Sequence, residues 1–115
     1  MQTIDAEIVL DLEQLRNLAL EDRKLMQEIV WALIDDASRQ SALLDRAVRD
    51  LDAQRSIRLA RASTRACANV GANAAAAALK AIGRGAALGD FALCHDWLLV
   101  LRAEIDRLRA KAASL

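Results

Sequence analysis

Across 115 residues the chain contains no proline, and its four glycines all fall at or after Gly71. Proline and glycine are the strongest interrupters of regular backbone, the first by removing a donor and fixing φ, the second by its conformational freedom. A first stretch of seventy residues without either can be divided only by caps and by shifts in hydrophobic phase. What fills the chain favours helix. It holds 25 alanines and 19 leucines, while aromatic residues make up 3% and β-branched residues are few; the first pair are strong helix formers and the scarce types are those that suit strands. The expectation is an all-α protein, and an all-β or doubly wound α/β fold is excluded. The length is that of one domain, residues 1–115.

The helix starts are legible as aspartates. Asp11 precedes Leu12, Leu15 and Leu18, with Gln14 in capping-box position. Asp22 precedes Leu25, Ile29, Leu33 and Ala37 at helical spacing. Ser38 or Ser41 reads as the cap of a further helix carrying Leu44, Val48 and Leu51, with Asp45 and Arg49 as an exposed i,i+4 pair. Asp52 caps a long segment from Ala53 to about Asn69 that ends at Gly71, a residue suited to the left-handed conformation of a helix stop. Ala72 to Ile82, with the run Ala74–Ala78 and an inward edge of Leu79 and Ile82, reads as a helix whose small side chains admit a close neighbour. Gly83 to Gly89 reads as the most flexible loop. Asp90 then caps a last helix with Phe91, Cys94, Trp97 or Leu98, Leu101, Ile105 and Leu108 inward. Short connections imply antiparallel neighbours, hence an up-down four-helix bundle with one or two short N-terminal helices.

Several function classes are excluded at this level. Sixteen basic and sixteen acidic residues cancel, and the isoelectric point is near 6.6, so there is no global attraction to nucleic acid or an anionic membrane. No apolar run reaches the length of a spanning helix, and Asp5, Glu7, Asp11 and Glu13 stand where a secretory signal carries positive charge. The expected location is the cytoplasm. Cys67, Cys94 and the single histidine His95 do not complete a four-ligand zinc site, and both cysteines read as reduced core residues. No metal or cofactor is expected.

The candidate site is a stripe of cations. Arg58, Arg61 and Arg65 fall at i, i+3 and i+7, and Arg55 extends the row by one turn, so all four share a helix face. One reading is a solvated face balanced by Asp52. The other is a docking stripe, since guanidinium forks make bidentate bonds to carboxylate or phosphate. Nucleic acid fits poorly, because the stripe is short and carries no base-stacking aromatics.

The stretch Leu59-Ala60-Arg61-Ala62-Ser63-Thr64-Arg65-Ala66-Cys67-Ala68-Asn69-Val70-Gly71-Ala72 resembles the signature of histidine-containing phosphotransfer (HPt) domains of bacterial phosphorelays, apolar-Ala-His-x-Leu-Lys-Gly, then small residues and a Gly-Ala turn. Asp11–Arg16 resembles the family's opening helix, Leu25–Asp36 its second, and Gly89-Asp90-Phe91 the start of its last. The resemblance covers nearly the whole chain. It implies the family's bundle and a face that docks a receiver domain or a histidine kinase. Arg61 stands where the phosphorylated histidine would be, Thr64 where the lysine would be and Arg65 where the glycine would be. Gly83 stands where a glutamate often orients the histidine. A guanidinium keeps its proton near neutral pH and is no nucleophile.

The expected function is thus a non-catalytic, HPt-like signalling module, not an enzyme. It would bind a receiver domain or histidine kinase through Arg55, Arg58, Arg61, Thr64 and Arg65 and modulate a phosphorelay without carrying phosphate. Two alternatives stand beside it: phosphotransfer through His95, a polar position on the last helix, or a structural, oligomerising protein that kept only the fold. Trp97 reads as core and Trp31 as partly exposed, a candidate anchor. Leu93, Leu99 and Val100 leave apolar surface on the last helix that suits either a cover for a short N-terminal helix or a homodimer seam.

Overall fold

A computed structural model describes residues 8–115; Asp5 and Glu7, used above to argue against a secretory signal, lie outside the described residues. Five helices follow in order: α1 (Leu12–Leu18), α2 (Arg23–Arg49), α3 (Ala53–Val70), α4 (Asn73–Ala87) and α5 (Phe91–Ala113), with no strand among the described residues. The aspartates behave as their positions suggested. Asp11, Asp22, Asp52 and Asp90 each accept a hydrogen bond from the backbone N–H three residues on, at Gln14, Leu25, Arg55 and Leu93. That removes one unpaired donor from each helix start.

Two expected boundaries are absent. α2 runs unbroken for 27 residues through Ser38 and Ser41. Its inward stripe, Met26, Val30, Leu33, Ile34, Ala37, Ser41, Leu44 and Val48, keeps helical phase across both serines. Burial of one continuous face therefore outweighs the local capping tendency of serine. Ser41 is itself buried in that stripe, and Ser38 Oγ accepts a hydrogen bond from Arg109 Nη2 at 2.9 Å. The second correction concerns Gly83–Gly89, expected as a loop: α4 continues as helix through Gly83 and Gly85 to Ala87. Gly85 serves packing there, since a Cβ at that position would lie 3.0 Å from Cys94 Sγ and 3.3 Å from the Asp90 carbonyl oxygen.

Helices α2 to α5 pack as a bundle in which α3 touches α2 and α4, and α5 closes the ring on α4 and α2. From α2 to α5, linkers of two or three residues fold each helix back on the one before it. The pairing of α5 with α2 is antiparallel, because Arg102 reaches Asp45 at 3.6 Å while Arg109, further along, reaches Ser38. The core is aliphatic: Leu15, Ile34, Leu44, Leu79, Ile82, Leu98, Leu101 and Leu108 are fully buried. Ala74, Ala75, Ala76 and Ala78 are also buried, so the alanine run forms an inner helix face of small side chains.

The N-terminal segment clasps the α3–α4 turn. Gln14 Nε2 donates to the carbonyls of Ala68 (2.6 Å) and Asn69 (3.1 Å), the last turn of α3. Asp11 N–H donates to the Gly71 carbonyl, and Ala74 N–H donates to the Ile8 carbonyl, both at 2.8 Å. The latter contact matters because Ala72, the N-cap position of α4, offers no side-chain cap. α1 packs on α2 and α3, so it does not cover Leu93, Leu99 and Val100 of α5, which stay exposed. Trp97 is half-buried against the core and Trp31 is 41% exposed.

Candidate functional site

Arg61, Thr64 and Arg65 line a groove between α3 and α4, while Arg58 is exposed outside the groove lining and Arg55 is half-buried in the first turn of α3. Three of the five expected site residues thus line the groove, and α4 brings Lys80 and Arg84 to it.

The groove has a volume of about 400 Å³. Its apolar lining is Ile57, Ala60, Leu79, Gly83 and Ala87. The residues lining it on α3 (57–65) and α4 (79–87) each span eight residue steps, about 12 Å of helix at 1.5 Å per residue. Thr64 donates its hydroxyl proton to the Ala60 carbonyl at 2.7 Å, so only its lone pairs remain for anything in the groove. No carboxylate lines it.

The ion pairs are unevenly spread over the bundle. Among the described residues every ion pair is made on α2 and α5: Arg39–Asp36, Arg49–Asp45, Arg102–Asp45, Arg107–Glu104 and Arg109–Asp106. On α3 and α4, Arg58, Arg61, Arg65, Lys80 and Arg84 are exposed and none of them takes part in those pairs. The sequence carries the reason. Ala53–Leu88 holds six of the sixteen basic residues and none of the sixteen acidic ones, so the span has charge +6 and the rest of the chain −6. Lys80 and Arg84 were not among the residues singled out from the arginine stripe. The acid-free span was the signal that could have found them, because adjacent helices joined by a two-residue turn must share a face.

Other candidate chemistry is sparse. His95 is exposed on α5, which sits diagonally across the bundle from α3. Cys67 is buried, and burial, helped by the charge of Asp36, pushes its thiol up to about 11. Burial, with Asp90 adding to it, also raises the Cys94 thiol. Its Sγ lies 3.4 Å from the Ile82 carbonyl oxygen as a donor. A thiol kept protonated is a poor nucleophile and a poor metal ligand. Among the described residues no group of three or more histidine, cysteine or acidic side chains is placed to hold a metal ion, and no helix is long and apolar enough to cross a membrane.

No protein-family model, no curated protein and no solved structure matches the chain.

Proposed function

We propose that this protein is a non-catalytic docking module of the histidine-containing phosphotransfer type, which binds a receiver domain or a histidine kinase and modulates a phosphorelay without carrying phosphate. One observation carries the reading: the α3–α4 groove holds Arg61, Arg65, Lys80 and Arg84 around an apolar lining with no carboxylate to neutralise them. That is the face on which the sequence resemblance puts the phosphoacceptor, with Arg61 in its place and Gly83 on the facing helix. A guanidinium there holds its protons and offers no lone pair to a phosphoryl group. It offers instead a planar fork for carboxylate or phosphate oxygens. Receiver domains present carboxylates around their phosphorylated aspartate, and a cationic groove suits that surface.

The test has two arms. Incubation with a phosphorylated receiver or an autophosphorylated kinase should leave the chain without acid-labile label. Label that appears and is abolished by His95→Gln would move the reading to phosphotransfer through α5. In the second arm, Arg61→Ala and Arg65→Ala should weaken binding to a cognate receiver by about 2 kcal/mol or more, as for arginines desolvated at an interface centre. Arg107→Ala and Arg109→Ala, already paired on α5, should cost about 0.2–1 kcal/mol at most. Binding should also fall with added salt. Equal binding by the Arg61/Arg65 double variant would show that the groove is only a solvated face.

A further inference from the structure

The four glycines differ in what the fold asks of them. Gly71 has φ +95° and sits against Asp11, with its missing Cβ position 3.1 Å from the Asp11 Cβ and carbonyl oxygen. Gly89 has φ +71°, in the left-handed region that L side chains rarely adopt. Gly85 is where α5 comes close, as described above. Gly83 has none of these reasons. It lies inside α4, outside the left-handed region, and a Cβ added to it would meet only the Ala60 Cβ at 3.5 Å, an ordinary van der Waals contact. Glycine in a helix interior is less stable than alanine because its unfolded chain has more freedom to lose. The bundle thus bears a cost at Gly83 for which its own packing shows no return.

What the glycine does is leave the groove without a side chain at that point. Gly83 and Ala60 face each other in the groove lining, between the Arg61–Arg65 rim of α3 and the Lys80–Arg84 rim of α4. We infer that Gly83 is a specificity-determining residue: it keeps open a socket for one bulky apolar side chain of an acidic helical segment, whose carboxylates meet Arg61, Arg65, Lys80 and Arg84. This rests on the reading of the groove as the docking face. Charge complementarity selects the acidic partner, since four cations line the groove and no carboxylate does. The dimensions select a helix, since an open trough of about 12 Å matches roughly two helical turns. The apolar lining selects the side chain, since a polar group placed there would lose water without gaining a partner.

The experiment pans displayed random peptides against the immobilised full chain, then measures the enriched peptides in solution against variants of it. The expected consensus is a bulky apolar residue flanked by aspartate or glutamate. Gly83→Leu fills the socket and should weaken such a peptide by about tenfold or more, the worth of burying one large apolar side chain. Gly83→Ala should weaken it by a few fold while raising the melting temperature of the chain, so loss of binding cannot be loss of fold. Replacing the peptide's apolar residue by alanine should cost about the same factor with the parent chain and nothing further with Gly83→Leu. Peptides that bind Gly83→Leu and the parent equally, yet weaken with Arg61→Gln and Lys80→Gln, would overturn the socket and leave the docking face standing. Binders that lack acids and ignore Arg61→Gln and Lys80→Gln would overturn both, as would a library with no binder on this face.

Discussion

Each helix up to α4 ends through a residue in the left-handed region: Leu20 at φ +53°, Leu51 at +56°, Gly71 at +95° and Gly89 at +71°. Each is followed by a backbone N–H that donates to the carbonyl five residues back. Glu21 reaches Arg16, Asp52 reaches Ala47, Ala72 reaches Cys67 and Asp90 reaches Gly85, all at 2.8–2.9 Å. This closure satisfies carbonyls that the helix end would otherwise leave free. Only the stop at Gly71 was legible as one: Gly89 fell within the stretch expected as a loop, and Leu20 and Leu51 carry no glycine signal. Leu51 adopts a conformation in which its Cβ crowds the backbone, at about 1–2 kcal/mol, and its side chain is 67% exposed, so little burial offsets that strain. Leu51→Gly should therefore stabilise the chain by about 1 kcal/mol, seen as a melting temperature about 4–8 °C higher for a domain of this size. Gly71→Ala should do the reverse by at least about 1 kcal/mol, because the strain is joined by contact with Asp11 at 3.1 Å. Equal melting temperatures for the two variants would mean that these φ values are not held in solution.

At the scale of elements, local chemistry placed the helix starts and tertiary packing decided how long the helices run. All four capping aspartates and the inward stripe of α5 (Cys94, Leu98, Leu101, Ile105, Leu108) were legible, since caps and periodicity are properties of neighbours in sequence. The continuity of α2 through Ser41 and of α4 through Gly83 and Gly85 was not. It depends on what lies across the core, and a serine or glycine that would open a loop in isolation is carried by the face it helps bury. This separates two kinds of substitution. Ser41→Ala should be neutral or stabilising by up to about 0.5 kcal/mol, the propensity difference within a helix, whereas loss of a true N-cap at Asp52→Ala or Asp90→Ala should cost about 1 kcal/mol. Gln14→Ala should also cost about 1 kcal/mol. Its amide ties α1 to the Ala68 and Asn69 carbonyls, a contact spanning more than fifty residues that no local pattern announces. Urea unfolding of the four variants measures all of this. A Ser41→Ala loss as large as that of Asp52→Ala would put a helix start where the structure has none.

For the whole molecule, the balance of sixteen against sixteen charges hides a division that net charge cannot express. The ion pairs among the described residues all lie on α2 and α5, while the exposed cations of α3 and α4 take part in none of them. The arginine stripe disclosed half of that face; Lys80 and Arg84 joined it only through the packing of α4 on α3. A surface so divided should behave as a polybasic one at short range, because potentials from charges beyond a Debye length of about 8–10 Å are screened. At pH 7, close to its isoelectric point of about 6.6, the protein should therefore be retained on a sulfonate cation exchanger and released by moderate salt. Arg61→Gln, Arg65→Gln and Lys80→Gln should each bring elution to lower salt. Arg109→Gln removes the same formal charge but leaves Asp106 unpaired on α5, so it should move elution less. If all four variants shift elution equally, retention follows net charge alone, and the unpaired face of α3 and α4 has no electrostatic identity of its own.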